Sequence, residues 1–204
     1  FAYTREFARL SGGASFVGTV MAGAYHATPE ISGSTLRTPQ AFVEAKNIPF
    51  LKGGTIWAGR RYYNRPDVSA LDFKYVVMDG TGAGIDGIPM GPGKFSYGVF
   101  RNDVDKPQSA TRHNVIYQGI PVNTNGTLKF DATIIRADSS AVNGHGGWSL
   151  SVAHKQDKLL GGDNVLVLQY GVGPGMRIGG TGDITRGSDF TRTRVIDQLI
   201  WQVT

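Results

Sequence analysis

The sequence contains no cysteine, which removes any thiol nucleophile and fits an exported bacterial protein. It has no apolar run approaching the roughly 18 residues of a transmembrane helix. Charge is sparse at 18% of residues, and although the formal net charge is +5, lysine and arginine are scattered rather than gathered into a basic run. That distribution excludes the electrostatic footprint of a nucleic-acid binder and assigns the surplus to a pore lining or a surface. The four histidines, His26, His113, His145 and His154, have no paired spacing, so no metal site is expected. No serine stands in a nucleophile-elbow pattern. The chain begins at Phe1 without a charged, apolar, small-residue leader. An export signal is therefore expected to have been removed or to lie outside this sequence.

What is present is glycine, 29 residues of 204, distributed as punctuation. Strand-like segments come in pairs joined by tight turns: 1–10 with 15–27, 41–50 with 55–63, 83–90 with 94–102, 113–122 with 127–136, and 148–158 with 164–172. A last strand near 191–204 has no return partner. Glycine and asparagine suit the turns because tight hairpins need positive φ. Long loops separate the pairs, at 28–40, 64–82, 103–112, 138–147 and 173–190. Alternation of short turns and long loops is the pattern of an outer-membrane barrel, short on the periplasmic side and long outside.

Within strands, Phe95, Tyr97 and Val99 oppose Lys94, Ser96 and Gly98. Leu128, Phe130, Ala132 and Ile134 oppose Lys129, Asp131 and Thr133, and Trp148, Leu150 and Val152 oppose Ser149 and Ser151. An all-β transmembrane antiparallel barrel turns the apolar face to lipid, whereas a soluble sandwich turns it inward, and periodicity alone does not choose. Several segments reach the roughly 9–11 residues needed to cross a bilayer at a tilt, which favours the barrel. Val165 to Leu168 is apolar on both faces, which places it against another subunit or under a loop.

The richest stretch runs from Gly53 to Ile85. A strand-like run ends in Arg60, Arg61, Tyr62 and Tyr63, opposite charges crowd at Arg65, Asp67, Asp72 and Lys74, and the segment closes in Asp79-Gly80-Thr81-Gly82-Ala83-Gly84. A hairpin loop exposed to solvent has no use for so many charges and aromatics; a loop folded into a polar channel does. Two other readings compete for these residues. Gly82-Ala83-Gly84-Ile85-Asp86-Gly87 fits the dinucleotide fingerprint, but Pro89, Gly91, Pro92 and Gly93 follow where that motif needs a helix, so it is read as a loop and no cofactor is expected. Asp67 and Asp72 could form a glycosidase pair, but Arg65 and Lys74 beside them would keep both ionised, against the raised pKa a general acid needs. No enzyme is expected.

Gly54-Thr55-Ile56-Trp57-Ala58-Gly59-Arg60-Arg61-Tyr62-Tyr63, Arg65-x-Asp67-Val68, Asp72-Phe73 and Gly82-Ala83-Gly84, in that order, resemble the maltoporin family of sugar-specific outer-membrane porins. A second block, Gly147-Trp148, His154-x-Gln156, Asn164 and Gln169-Tyr170, and a third, Arg194-Val195-Ile196-Asp197, resemble later segments of the same family. The resemblance implies a passive channel in the bacterial outer membrane, a homotrimer in contact with outer-membrane lipid, and weak binding of sugars or oligosaccharides where the loop 64–82 folds into the barrel as its constriction. It implies that Arg65, Asp67 and Asp72 keep the family's polar sugar-binding positions and that Tyr3 matches an aromatic of the sugar path. Lys74 stands where maltoporins carry a tyrosine that narrows the channel. The run 38–43 lacks the family's sugar-binding arginine, with Arg37 the nearest stand-in. The loop 31–39 lacks the family's tryptophan, and Asp163 takes the place of another path aromatic.

Residues 1–204 are expected to form a single porin domain. The family closes its barrel with about eighteen strands and roughly eleven are present here, so the chain is expected to be an internal fragment of a longer protein. Two further readings remain open from the sequence: a general or anion-leaning diffusion porin, favoured by Lys74 and the missing aromatics, and a soluble carbohydrate-binding β-sandwich.

Overall fold

The computed structural model describes residues 1–25, 35–68, 73–101, 110–139, 143–176 and 191–201. Its strands are β1 (Ala2–Arg9), β2 (Ser15–Tyr25), β3 (Thr35–Ile48), β4 (Gly54–Arg61), β5 (Asp67–Val68), β6 (Phe73–Lys74), β7 (Gly80–Met90), β8 (Gly93–Arg101), β9 (Ala110–Asn123), β10 (Gly126–Ala137), β11 (Gly147–Leu159), β12 (Gly162–Val172) and β13 (Thr191–Ile200). Eleven of them form one antiparallel sheet in which every neighbour in space is the next long strand in sequence, and β5 with β6 form a separate two-stranded ladder. The sheet is open, with β1 and β13 as its edges. No described helix is long and apolar enough to cross a membrane, which leaves crossing by strands untouched.

The five predicted hairpins are all present. Positive φ falls where the turns demand it, at Gly91 (55°) between β7 and β8 and at Asn125 (64°) between β9 and β10. Two boundaries differ from expectation. β3 begins at Thr35 and runs through Pro39, so the second half of the predicted loop 28–40 is strand. Gly82 to Gly87, read both as a loop and as the start of the strand 83–90, lies inside β7: Gly82 to Ile85 pair with β4 on one side and β8 on the other, and Gly87 falls at a register shift. Glycine-rich sequence looked like a loop there because Gly82 and Gly84 serve close packing, whereas Gly87 takes a positive φ of 70° at the register shift.

Strand alternation gives the sheet two unlike faces. One register row joins Phe130, Val152, Leu168 and Val195 across β10 to β13, and the adjacent row joins Asp131, Ser151, Gln169 and Arg194. The apolar row is on the exposed face, where Leu168 is 54% and Val195 64% accessible. The polar row faces the other way, and its Asp131, Ser151 and Gln169 are all buried. Water-facing proteins bury the apolar row; here the order is inverted, as it is in a barrel whose outer surface meets lipid.

The polar face is buried because residues 62–68 and 74–79 lie across it. Tyr63, Val68, Tyr75, Val76 and Met78 of this segment pack with Trp57 of β4, Phe100 of β8, Ile116 of β9, Ala153 of β11 and Val167 of β12. Val167 is fully buried and Val165 packs against the same cluster, so the doubly apolar stretch of β12 is explained by a loop above it. At the centre, Trp57, Tyr63 and Phe100 form a triangle with ring centroids 5.1–5.3 Å apart. Full burial of each such side chain contributes about 1.5–3 kcal/mol. Gly84 and Gly98 make the room: a Cβ on Gly84 would stand 2.8 Å from Trp57, and one on Gly98 would stand 2.7 Å from Phe100.

Candidate functional site

The inward segment is fastened to the sheet at its start, its end and its middle. At the start, Asn64 adopts a left-handed φ of 46°. Its amide donates to Asn114 Oδ1 at 3.1 Å and also to the carboxylate of Asp131, while its own oxygen accepts from Lys129 Nζ at 2.7 Å. Asn114 in turn donates to Asp131 Oδ1 (3.0 Å), Thr133 Oγ1 (3.1 Å) and the carbonyl of Ala132 (3.2 Å). Strand alternation alone places Asn114, Asp131 and Thr133 on one face, and adjacent register brings them together. Buried as they are, these groups are tolerable only as a satisfied network.

At the far end, Asp79 receives the guanidinium of Arg65 through both carboxylate oxygens, with Nε to Oδ1 at 2.7 Å. It also accepts from the backbone N–H of Tyr63 at 3.2 Å, and its carbonyl accepts from Arg112. In the middle, Gln169 on β12 donates to the carbonyl of Tyr75 at 3.1 Å. A backbone carbonyl carried away from its own strand thus finds a partner on the opposite side of the sheet.

Arginine is presented on aromatic surfaces at two places. The Arg65 guanidinium lies 3.5 Å from the centroid of the Tyr62 ring. Arg61 sits among Phe42, Trp57 and Tyr63 at 4.7–5.2 Å, and ion-pairs with Asp86 at 3.4 Å and Glu44 at 3.7 Å. The Tyr63 hydroxyl donates to Asp86 Oδ1 at 2.6 Å. Partial burial works against the Arg65 charge, but the Asp79 carboxylate outweighs it and holds the guanidinium above its ordinary pKa. Burial pushes the Tyr75 phenol up to about 12, which leaves it a neutral hydroxyl. The result is a surface of fixed donors and acceptors interleaved with ring faces, suited to hydroxyl-rich solutes with apolar ring faces.

The predicted site residues are distributed as follows. Arg65 is half-buried at the start of the inward segment. Asp67 in β5 lies directly opposite Lys74 in β6, so the two are register partners. Asp72 lies outside the described residues. Tyr3 on β1 pairs in register with Val20 and is 53% exposed. Its neighbour Thr4, which alternates to the opposite face, is the residue that meets Thr19, the two hydroxyls 3.0 Å apart. The structure therefore brings Arg65, Asp67 and Lys74 into one segment and sets Tyr3 apart from them. Arg37 pairs with Gly23 on β3 and β2, and Asp163 sits at the β11–β12 turn, accepting from the Lys158 N–H at 3.3 Å.

Sequence reading missed the fastening residues. Asp79 was visible as the acid that closes the charged stretch, but nothing local marked it as the partner of Arg65. Asn114, Asp131 and Gln169 carried one signal, a polar side chain recurring on alternate positions of a strand, which reads equally well as a water-facing wall.

Compared with known protein families, the whole chain, residues 1–204, matches the family model described as LamB porin.

Proposed function

The chain belongs to the LamB porin family, sugar-specific channels of the bacterial outer membrane, and on that premise we propose that it carries sugars by facilitated diffusion through a pore narrowed by its inward loop. The family is one of channels rather than enzymes. The proposed solutes are sugars of the maltose and maltodextrin type or other oligosaccharides, bound weakly enough to be released, and the reading includes a homotrimer embedded in outer-membrane lipid. Residues 1–204 act in it as one porin unit with the segment around 64–82 as the constriction. Arg65, Asp67, Asp72 and Lys74 are the proposed sugar contacts within that segment, and Tyr3 contributes an aromatic ring on the approach.

One observation carries the reading: residues 62–68 and 74–79 lie across the polar face of the wall and present Arg65, fixed by Asp79 against the Tyr62 ring, at its surface. A sugar passing such a surface exchanges hydroxyl hydrogen bonds with charged partners and lays its ring on aromatic faces. Conduction then requires each contact to be weak, and half-exposed groups meet that requirement. The test is the double substitution Arg65→Ala with Asp72→Ala in the full-length protein. Sugar affinity, read as block of ion current in a planar bilayer, is expected to fall about tenfold while conductance persists. Unchanged affinity would move the sugar site away from this loop.

A further inference from the structure

Beneath the inward loop, towards the short turns, lies a cavity of about 580 Å³ bounded by Asp67 and Tyr75 of the loop and by Lys94, Gln118, Lys129 and Lys155 of the wall. Three of its four charged lining residues are lysines. Their positions follow from register. Lys94 on β8 pairs with Gln118 on β9, which pairs with Lys129 on β10, so a cation, an amide and a second cation stand in one row. Two strand spacings separate the cations, about 10 Å.

Two of the three acids nearby, Asp131 and Asp157, are already engaged by lysines. Asp67 is the register partner of Lys74. Asp131 is buried 3.9 Å from Lys129 Nζ and also accepts from Asn114. Asp157 pairs with Lys155 at 2.6 Å. Lys129 itself spends a donor on Asn64 at 2.7 Å. Lys94 is different: it is exposed, and it makes no hydrogen bond or ion pair with any other described residue. An ammonium with three donors thus faces a walled space in which the other two lysines have partners.

Resting on the sugar-channel reading above, we propose that this cavity is a subsite for sugars carrying an anionic group, a carboxylate or a phosphate, which Lys94 receives while Gln118 exchanges hydrogen bonds with the ring hydroxyls. A neutral sugar gains only the amide and hydroxyl contacts there. An acidic sugar adds a charge-assisted bond to a group with no other partner among the described residues.

The test is ion-current block in planar bilayers by the full-length protein, comparing maltotriose with trigalacturonate at 0.1 M KCl. Glucose 6-phosphate against glucose gives the same contrast with phosphate as the anion, and an advantage confined to one pair identifies which anion the subsite takes. The acidic member is expected to reach half-block at about threefold to fivefold lower concentration, the size of one solvent-accessible charge pair. Raising KCl to 1 M shortens the screening length from about 10 to about 3 Å and should erase the advantage. Lys94→Gln should remove it with maltotriose block unchanged, and Lys94→Glu should reverse it. Equal block by acidic and neutral sugars, or an advantage that survives in both Lys94 variants, overturns the anionic subsite while leaving the sugar channel standing. Absence of block by any of these sugars would overturn the sugar-channel reading and the subsite with it.

Discussion

Replacing Asn114 by alanine should loosen the inward loop without unfolding the wall. Asn114 is fully buried and is the hub between loop and sheet, accepting from Asn64 and donating to Asp131, Thr133 and Ala132. Alanine removes the bond to the loop and takes one donor from a buried carboxylate. Leaving a buried acceptor short of a partner costs about 1–3 kcal/mol, with charged acceptors at the upper end. Asn64 and Lys129 remain near Asp131 and soften the loss, so about 2–3 kcal/mol is expected to fall on loop docking. At about 1.4 kcal/mol per tenfold, the undocked population rises roughly 30- to 150-fold. A loop undocked about 0.1% of the time would then be undocked for several per cent of it. Single-channel recording reads this directly as larger mean conductance with flicker between two levels, and protease added from the loop side should nick the variant faster. The same conductance and noise as the parent, in a variant that still shows the heat-modifiable gel migration of a folded barrel, would refute the assignment of Asn114 as a fastening residue.

Three other outcomes follow from the packing. Gly84→Val should abolish barrel assembly, because its Cβ would stand 2.4 Å from the Tyr97 carbonyl and 2.8 Å from Trp57; normal yield of folded protein would contradict that close approach. Leu168→Arg, on the exposed face, should cost about 2–4 kcal/mol of stability in bilayers, measured by urea titration, whereas a smaller effect than this would place that face against protein or water instead of lipid. Lys74→Tyr restores an aromatic at a family position and should tighten neutral maltooligosaccharide block about threefold to tenfold, the worth of one stacking contact; weakened block would remove Lys74 from the sugar path.

Much of the wall was legible because its signal is local. Period-two alternation from Leu128 to Ile134 and from Trp148 to Val152 set the faces, and Gly91 and Asn125 set the turns. Both features depend only on neighbours in sequence. Gly82 and Gly84 misled for a physical reason, since glycine serves turning and close packing alike and only the neighbouring Phe100 and Trp57 distinguish the two. The inward loop was legible as composition, in its density of charges and rings, but not as a set of partners. Arg65 to Asp79 spans fourteen residues, Asn64 to Asp131 spans 67, and Tyr75 to Gln169 spans 94. Contacts of that separation depend on the register of several strands at once. Lys94 likewise looked like any strand-end lysine until register placed Gln118 and Lys129 in its row.

The central claim, a sugar-specific channel narrowed by its inward loop, is tested most directly by ion current through the full-length protein in a planar bilayer during titration with maltooligosaccharides. Saturable block, with a half-block concentration that falls as the saccharide lengthens, is the predicted result. Steady open current that no sugar reduces at any concentration would contradict it and leave a general diffusion pore.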